Sequence, residues 1–447
     1  MPFFQNNRIH FLYTVIILSL CRNINVLLMK RVFLMAAVAV CACEHVDHTG
    51  ELPSIPDVVA SDTVARLLAS LHMSDENLAE VHDAVSSSAG NGYDEEYMMR
   101  DLFASPGTGV GGGSGDASTK SYSTPLRDLI RERLYSTKSS SGGMSADRYI
   151  NALENSDMQI YWPYSESWDG KSYPVITFDP GGAASANIGY AMSVGSDGDV
   201  RVEEVVVDEV MAMSRPVWIV NRNDDCLYES IEMLRRRDPD WGQGGGDIIV
   251  RPNSAGVSSE SNSTRIHPLD DDFSEDAGVL EVTDMETSET RVKSLVIKDF
   301  KMRRNYDSWF AGASEFFVKC GAVEDFTAST EAELRLYSPS VTDFMLVVRR
   351  RYLGETVPFN AMLVSKWTDQ LDNMALMITE DDGGTRTDWK CSAVVKIKSK
   401  SYGFDVSLPF NSRDDIVWRG SLSGKYLEKY DGVTSRFGDV DITFAFQ

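Results

Sequence analysis

Histidine is scarce in this chain, and its placement excludes more chemistry than any other feature of the composition. Six occur in 447 residues: His10, His45, His48, His72, His82 and His267. None lies in the segments whose apolar alternation reads as β core, so a serine or cysteine nucleophile lacks its usual general base. Zinc motifs built on histidine pairs are missing too, H-E-x-x-H among them. Cysteine is thin: beyond Cys43 only Cys226, Cys320 and Cys391 remain, far apart and without C-x-x-C, which points to no disulfide framework. The two apolar runs near the start, residues 11–20 and 32–40, are each about half the roughly twenty residues of a membrane-spanning helix. Positive charge is short as well. Against 67 acidic residues stand 43 basic ones, a net of −24, and such a surface repels phosphate backbones, so nucleic acid is not an expected partner. The same surface favours solubility, or cations such as calcium. Catalysis by paired carboxylates stays open, because spacing along a chain does not tell which acids meet in space.

What is present begins with an export signal. Residues 1–42 hold Arg8, Arg22, Lys30 and Arg31 and no acid. Met29-Lys30-Arg31 precedes the second apolar run, which ends in Val40-Cys41-Ala42-Cys43. A basic start, a short apolar core and small residues before a cut make a secretory signal, and a start at Met29 would supply its basic segment. The tetrapeptide resembles the lipobox of bacterial lipoproteins, which implies cleavage before Cys43, lipid on Cys43 and anchorage in a membrane. Val40 stands where that family prefers Leu, and Cys41 where it prefers a smaller residue. An ordinary signal peptide with an incidental cysteine is the competing reading. Glu44, rather than Asp, follows the cysteine, which favours the outer membrane.

The remaining chain divides by texture into an α+β protein. Residues 43–60 form a lipidated, acidic tether. Residues 61–155 are read as a small helical region with Gly/Ser linkers: Val64, Leu67, Leu68 and Leu71 share one helical face, Leu78, Val81 and Val85 another, and Tyr93-Asp-Glu-Glu-Tyr leads a third helix to Phe103. Gly107, Gly109 and Gly112 satisfy G-x-G-x-x-G, but no strand precedes them and the stretch reads as flexible linker. Residues 156–225 are read as a small β-rich module with a buried-looking strand at 217–220, and 226–290 as an acidic low-complexity linker with a helix over 227–237. Residues 291–447 alternate in the β manner (Ala393, Val395, Ile397; Tyr402, Phe404, Val406, Leu408; Val440, Ile442, Phe444, Phe446) and are expected to form an antiparallel β-sandwich. The basic runs 235–237 and 349–351 are read as solvated edges.

Two acidic loops in this last block carry the one constellation with chemistry in it. The first is Asn305-Tyr-Asp-Ser-Trp-Phe-Ala-Gly-Ala-Ser-Glu315, before an apolar strand; the second is Glu380-Asp-Asp-Gly-Gly-Thr-Arg-Thr-Asp388, after one. Calcium takes six to eight oxygens at about 2.4 Å, and loops at one end of a sandwich can converge carboxylates on it. Asp307, Glu315, Glu380, Asp382 and Asp388 are the candidate ligands. A chain with 67 acids also meets such spacings by chance, and Asp-Asp-Gly-Gly makes a plain turn. The block resembles the calcium-dependent lipid-binding sandwich called the C-two domain: Ser314-Glu-Phe-Phe is similar to its Ser-Asp-Pro-Tyr loop, and Glu380, Asp382 and Asp388 match its Asp-x-Asp with a further Asp six residues on. Glu replaces Asp twice, the first loop is longer, and the Pro is absent.

By layout the chain resembles the cell-envelope lipoproteins of gut-type Bacteroidetes, which implies envelope residence without a particular activity. The expectation is a non-enzymatic, membrane-anchored binding or structural protein whose sandwich binds calcium, with a glycan or an envelope protein as partner. Trp309, Trp367, Trp389 and Trp418 beside loops are the residues that could stack on sugars, or else core. The alternative is a carboxylate-based hydrolase acting on glycan or peptide at the cell surface.

Overall fold

Four apolar residues in a row, Val217-Trp-Ile-Val, ask for a strand covered on both faces. The computed structural model builds the N-terminal half of the protein around that strand. The structure describes residues 59–104, 121–136, 144–194, 200–223, 230–237, 266–269 and 293–447; Cys43 and the glycine-rich stretch 107–115 lie outside them. The first elements are α1 (Ser61–Ala69), α2 (Asp75–Gly90), β1 (Glu96–Met98), α3 (Met99–Phe103), α4 (Leu126–Ser136) and α5 (Ala146–Glu154). The strands β2 (Met158–Tyr161), β3 (Val175–Phe178), β4 (Ala186–Val194), β5 (Val200–Asp208) and β6 (Val217–Arg222) then join β1 in a six-stranded sheet ordered β1-β2-β6-β3-β4-β5. Every pairing is antiparallel except β3 with β6. Alternation along β6 sorts its side chains between two cores. Trp218 and Val220 pack with Leu68, Leu78, Val81, Leu126 and Leu153 of the helices, whereas Val217 and Ile219 pack on the other face.

The C-terminal half is antiparallel sheet. Its first strands are β7 (Ile266–Pro268), β8 (Lys293–Met302), β9 (Ser314–Ala322), β10 (Ser340–Val348), β11 (Val357–Trp367) and β12 (Leu371–Glu380). The last are β13 (Arg386–Ile397), β14 (Lys400–Asn411), β15 (Asp415–Ser423), β16 (Thr434–Phe437) and β17 (Val440–Phe446). One sheet runs β10-β9-β12-β13-β14-β7, and the other β11-β8-β17-β16. β15 pairs with Asn373–Glu380 on one side of β12; on the other, the first residues of β12 meet β13 and Ala375–Glu380 meet β9. The inner faces share one core in which Leu295, Ile297 and Phe300 meet Phe316, Leu376, Ile378 and Phe404. The architecture is thus mixed α+β and β-rich, with helices gathered in the N-terminal part.

The two halves are joined by residues 303–313, between β8 and β9, which include most of the first acidic loop. Trp309 and Phe310, 4% and 0% exposed, stack at 4.0 Å and fill the second face of the six-stranded sheet with Tyr161, Val175, Val207, Val217 and Ile219. Polar contacts seal the edges of this plug. Trp309 Nε1 donates to the Ser185 carbonyl at 3.1 Å, Asn221 Nδ2 to the carbonyls of Phe310 at 3.2 Å and of Ala311, and the Ala313 amide to Asp94 Oδ2 at 2.8 Å. Arg350 Nε donates to Glu209 at 2.8 Å and its Nη1 to the carbonyl of Asp307 at 3.1 Å.

Three local expectations are revised by this docking. The third helix starts only at Met99: Glu96–Met98 is an edge strand on β2, and the Trp162 amide donates to the Glu95 carbonyl at 2.8 Å. Arg350 is not solvated but 8% exposed, held by the partners just named. Within the stretch read as linker, the helix Ile231–Arg237 places Ile231 and Leu234 in the sandwich core, and β7 pairs with β14.

Truncating the plug tests its weight. Phe310→Ala removes a fully buried ring and is expected to cost about 3–5 kcal/mol, measured by urea unfolding, with the N-terminal half losing its protection first. A loss under about 1 kcal/mol would mean that the plug is not what joins the halves.

Candidate metal centre

The end of β12 is where strand order and turn chemistry bring acids together. Glu380 closes the strand opposite Phe316 of β9 and Asp415 of β15. Like charges placed directly across a ladder repel, so the Glu380–Asp415 register already demands compensation. The chain then turns through Asp381-Asp-Gly-Gly, with Gly383 and Gly384 at φ +67° and +110°, backbone that favours glycine. Asp381 stabilises the turn, accepting from the Gly383 amide at 3.1 Å and from Asn411 Nδ2 at 3.0 Å. That turn carries Asp382 back over the strand end, and the docking loop delivers Asp307 from the other side. One carboxylate oxygen from each of Asp307, Glu380 and Asp382 lies within 4.8 Å of the other two.

The electrostatics of this group are unusual at one member. Glu380 is 1% exposed, yet no hydrogen-bond donor reaches either Oε1 or Oε2. A buried carboxylate without donors costs several kcal/mol if it stays charged. It must therefore keep a proton or hold a cation. Burial first, then a hydrogen bond shared with Asp307 and the charges of Asp307, Asp382 and Asp415, push its pKa far above the carboxylate range. Asp382 is raised by burial, Asp415 and Asp381, with Arg413 opposing. Nearby, Asn305 Oδ1 and Asp414 Oδ1 are also buried without a donor. The end of the sandwich is thus rich in oxygen acceptors and poor in donors, the chemistry of a hard-cation site.

Three of the five candidate residues are in this group. Glu315 is outside it: its carbonyl accepts from the Asp381 amide at 3.1 Å, and the residue lines a cleft of about 610 Å³ between the docking loop and the six-stranded sheet. Asp388 is outside it too, on β13, with its carboxylate 3.5 Å from Lys390 Nζ and a 43% exposed side chain. Trp309 and Trp367 are core residues, and Trp418 is half-buried against Phe437.

Composition gave no sign of a second acidic group, Asp94-Glu95-Glu96, whose members are only 3–4% exposed. Its signal in the sequence is three acids flanked by tyrosines, which also suits a helix start. Asp94 accepts from the Glu95 amide at 2.7 Å besides the Ala313 amide. Glu95 accepts from Ser165 Oγ at 3.2 Å and shares a hydrogen bond with Glu166, which meets Arg351 at 2.5 Å. Burial, then the Asp94 charge and the bond to Glu166, push Glu95 up to about 9. For Glu166 burial works upward, but the bonds from Glu95 and Arg351 prevail and lower it. The pair therefore shares one proton, carried by Glu95 and donated to Glu166.

No protein family, curated protein or solved structure matches the chain. The functional reading accordingly rests on the geometry itself.

The Glu95 proton has a measurable consequence. Its folded pKa lies above the unfolded carboxylate value of about 4.3, so its contribution to stability is complete below that value and is lost as pH rises toward about 9. Glu95→Gln keeps a donor for Glu166 without the titration. Urea midpoints measured across this range should fall less steeply in the variant than in the wild type; parallel curves would remove Glu95 from the account.

Proposed function

We propose that the chain is a non-enzymatic, lipid-anchored envelope protein whose C-terminal sandwich binds calcium through Asp307, Glu380 and Asp382. The observation that carries this reading is Glu380, buried, without a donor on either oxygen, and facing two further carboxylates. Calcium suits the site because every candidate donor is oxygen and the coordination shell can be completed by backbone carbonyls and water. Of the acids that carry the likeness to C-two loops, Glu380 and Asp382 are in this group, and Glu315 and Asp388 are not.

Hydrolysis is the weaker reading for this group. Glycosidase carboxyls stand about 5–5.5 Å or 6.5–9.5 Å apart with substrate between them, whereas here three carboxylate oxygens crowd within 4.8 Å. Crowding favours an ion over a sugar ring. Because Asp307 belongs to the docking loop and Glu380 and Asp382 to the sandwich, the ion would also tie the two halves together. Anchorage through Cys43, at the outer membrane, rests on the lipobox-like tetrapeptide and on Glu44.

Two measurements check the two parts. A site with a dissociation constant of about 0.1 mM, in about 2 mM calcium, adds ~1.8 kcal/mol by mass action. The full chain should therefore melt a few degrees higher in calcium than in chelator, and Glu380→Gln should abolish the difference. A melting temperature that calcium leaves unchanged would end the calcium reading. Separately, Cys43→Ser should move the protein from the detergent phase to the aqueous phase on Triton partitioning. Equal partitioning of both forms would end the lipid reading.

A further inference from the structure

We infer that β5, the outermost strand of the six-stranded sheet, is a dimerisation edge: a second copy of this chain adds its own β5 antiparallel, continuing the sheet across a two-fold axis. Among the described residues β5 pairs only with β4, over all nine residues and without a register shift. Its other side presents a row of backbone N–H and C=O groups, a template for a further strand.

The contrast with the other edges points to a partner. β1, at the opposite edge of the sheet, has three residues, all buried. β11 passes through three register shifts, carries Pro358 and holds Asn360 at φ +49°. Its backbone is also met from outside the ladder with β8. Thr342 Oγ1 donates to the Leu363 carbonyl at 2.8 Å, the Ser365 amide to Glu324 at 3.2 Å and the Asp325 amide to the Lys366 carbonyl at 2.9 Å. Ser230 bridges to Met345 of β10. Bulges, proline and capping keep an edge from pairing. β5 has no proline, glycine, lysine or bulge, and Arg201–Glu204 are exposed in a row. Apolar surface gathers there too. The helical core takes in Tyr190 and Met192 of β4. One strand further out, Val202 and Val206 are exposed, Val206 to 70%, with exposed Ile188 directly across from Val206.

Charge identifies the occupant. Two strands related by a two-fold axis normal to the sheet pair about one residue, which meets its own copy. Centred on Arg201, Glu203 or Glu204, the pair would set like charges directly opposite each other, which is destabilising. Centred on Val206 it would set Glu204 against Asp208, and centred on Val205 it would set Glu203 and Glu204 against valines. Centred on Val202 it sets valine against valine and Arg201 against Glu203 of the second copy, twice by symmetry. Val200 of the second copy then lies diagonal to Val206 and adds apolar contact. Arg201 has a contact within its own chain; its five N–H donors let it keep that contact and still meet a carboxylate across the pair. The complementary register thus belongs to this strand paired with itself.

The overlap is short, so the dimer is expected to be weak, with a dissociation constant of about 10–100 µM. Sedimentation equilibrium of the full chain in mild detergent, from low to high micromolar concentration, should show a monomer–dimer equilibrium. Arg201→Glu and Glu203→Arg should each weaken it at least about tenfold, because each turns two facing opposite charges into two like ones. The double variant exchanges the charges and should restore it to within about threefold. Val202→Cys, on the axis, should form a disulfide-linked dimer under mild oxidation, which Glu204→Cys and the unsubstituted chain should not. A monomer at every concentration, a dimer that the single reversals leave unchanged, or a double variant no tighter than the singles would overturn the inference.

Discussion

The burial of Trp309 and Phe310 against the six-stranded sheet is the contact on which the rest of the molecule depends. A sheet with helices on one face only would expose Val217 and Ile219 to water; the plug from residues 303–313 covers them. The same backbone that inserts the two rings must bend on either side of them. On one side it presents Asp307 to the end of β12, and on the other it passes Gly312, at φ +150° and 3.2 Å from Asp94 Oδ2 at its would-be Cβ, along the cleft wall. Hydrophobic burial thus pays for a geometry that places acids where they would not gather by themselves.

Around that plug the chain concentrates charge that it could have left in solvent. Arg350 is enclosed, but with Glu209 and two carbonyls as acceptors, so its charge is met by hydrogen bonds. Asp94 likewise takes two backbone amides. Glu380 is different because no donor reaches it. Among the described buried acids Glu380 alone lacks a donor on both oxygens, and a donor-free carboxylate facing two more is a place reserved for a proton or an ion.

Much of the architecture was legible beforehand, and the reasons differ by element. Period-2 alternation in β14 and β17 reflects strands with one face in the apolar core, and the unbroken run at 217–220 reflects a strand with two. The acidic turn after β12 was legible because Asp-Asp-Gly-Gly specifies a tight turn whatever surrounds it. Asp388 was misleading: its spacing from Glu380 suits a calcium loop, but a residue already inside β13 takes its direction from the ladder with β14. Asp94, Arg350 and Asn221 were not legible at all. Their roles in the docking come from partners between 38 and 219 residues away in sequence, and no local pattern encodes such a contact. Helical character at 93–98 lost to edge pairing with β2 for the same reason.

The central claim is that Glu380, Asp307 and Asp382 hold an ion and not merely a shared proton. Diffraction from crystals soaked in manganese or a lanthanide, both of which scatter anomalously and accept calcium-type oxygen sites, distinguishes the two directly. The account requires one strong anomalous peak about 2.2–2.5 Å from carboxylate oxygens of all three residues. An empty map, with a Glu380 oxygen drawn to within about 2.6 Å of an Asp307 oxygen as in an acid–carboxylate hydrogen bond, would contradict it.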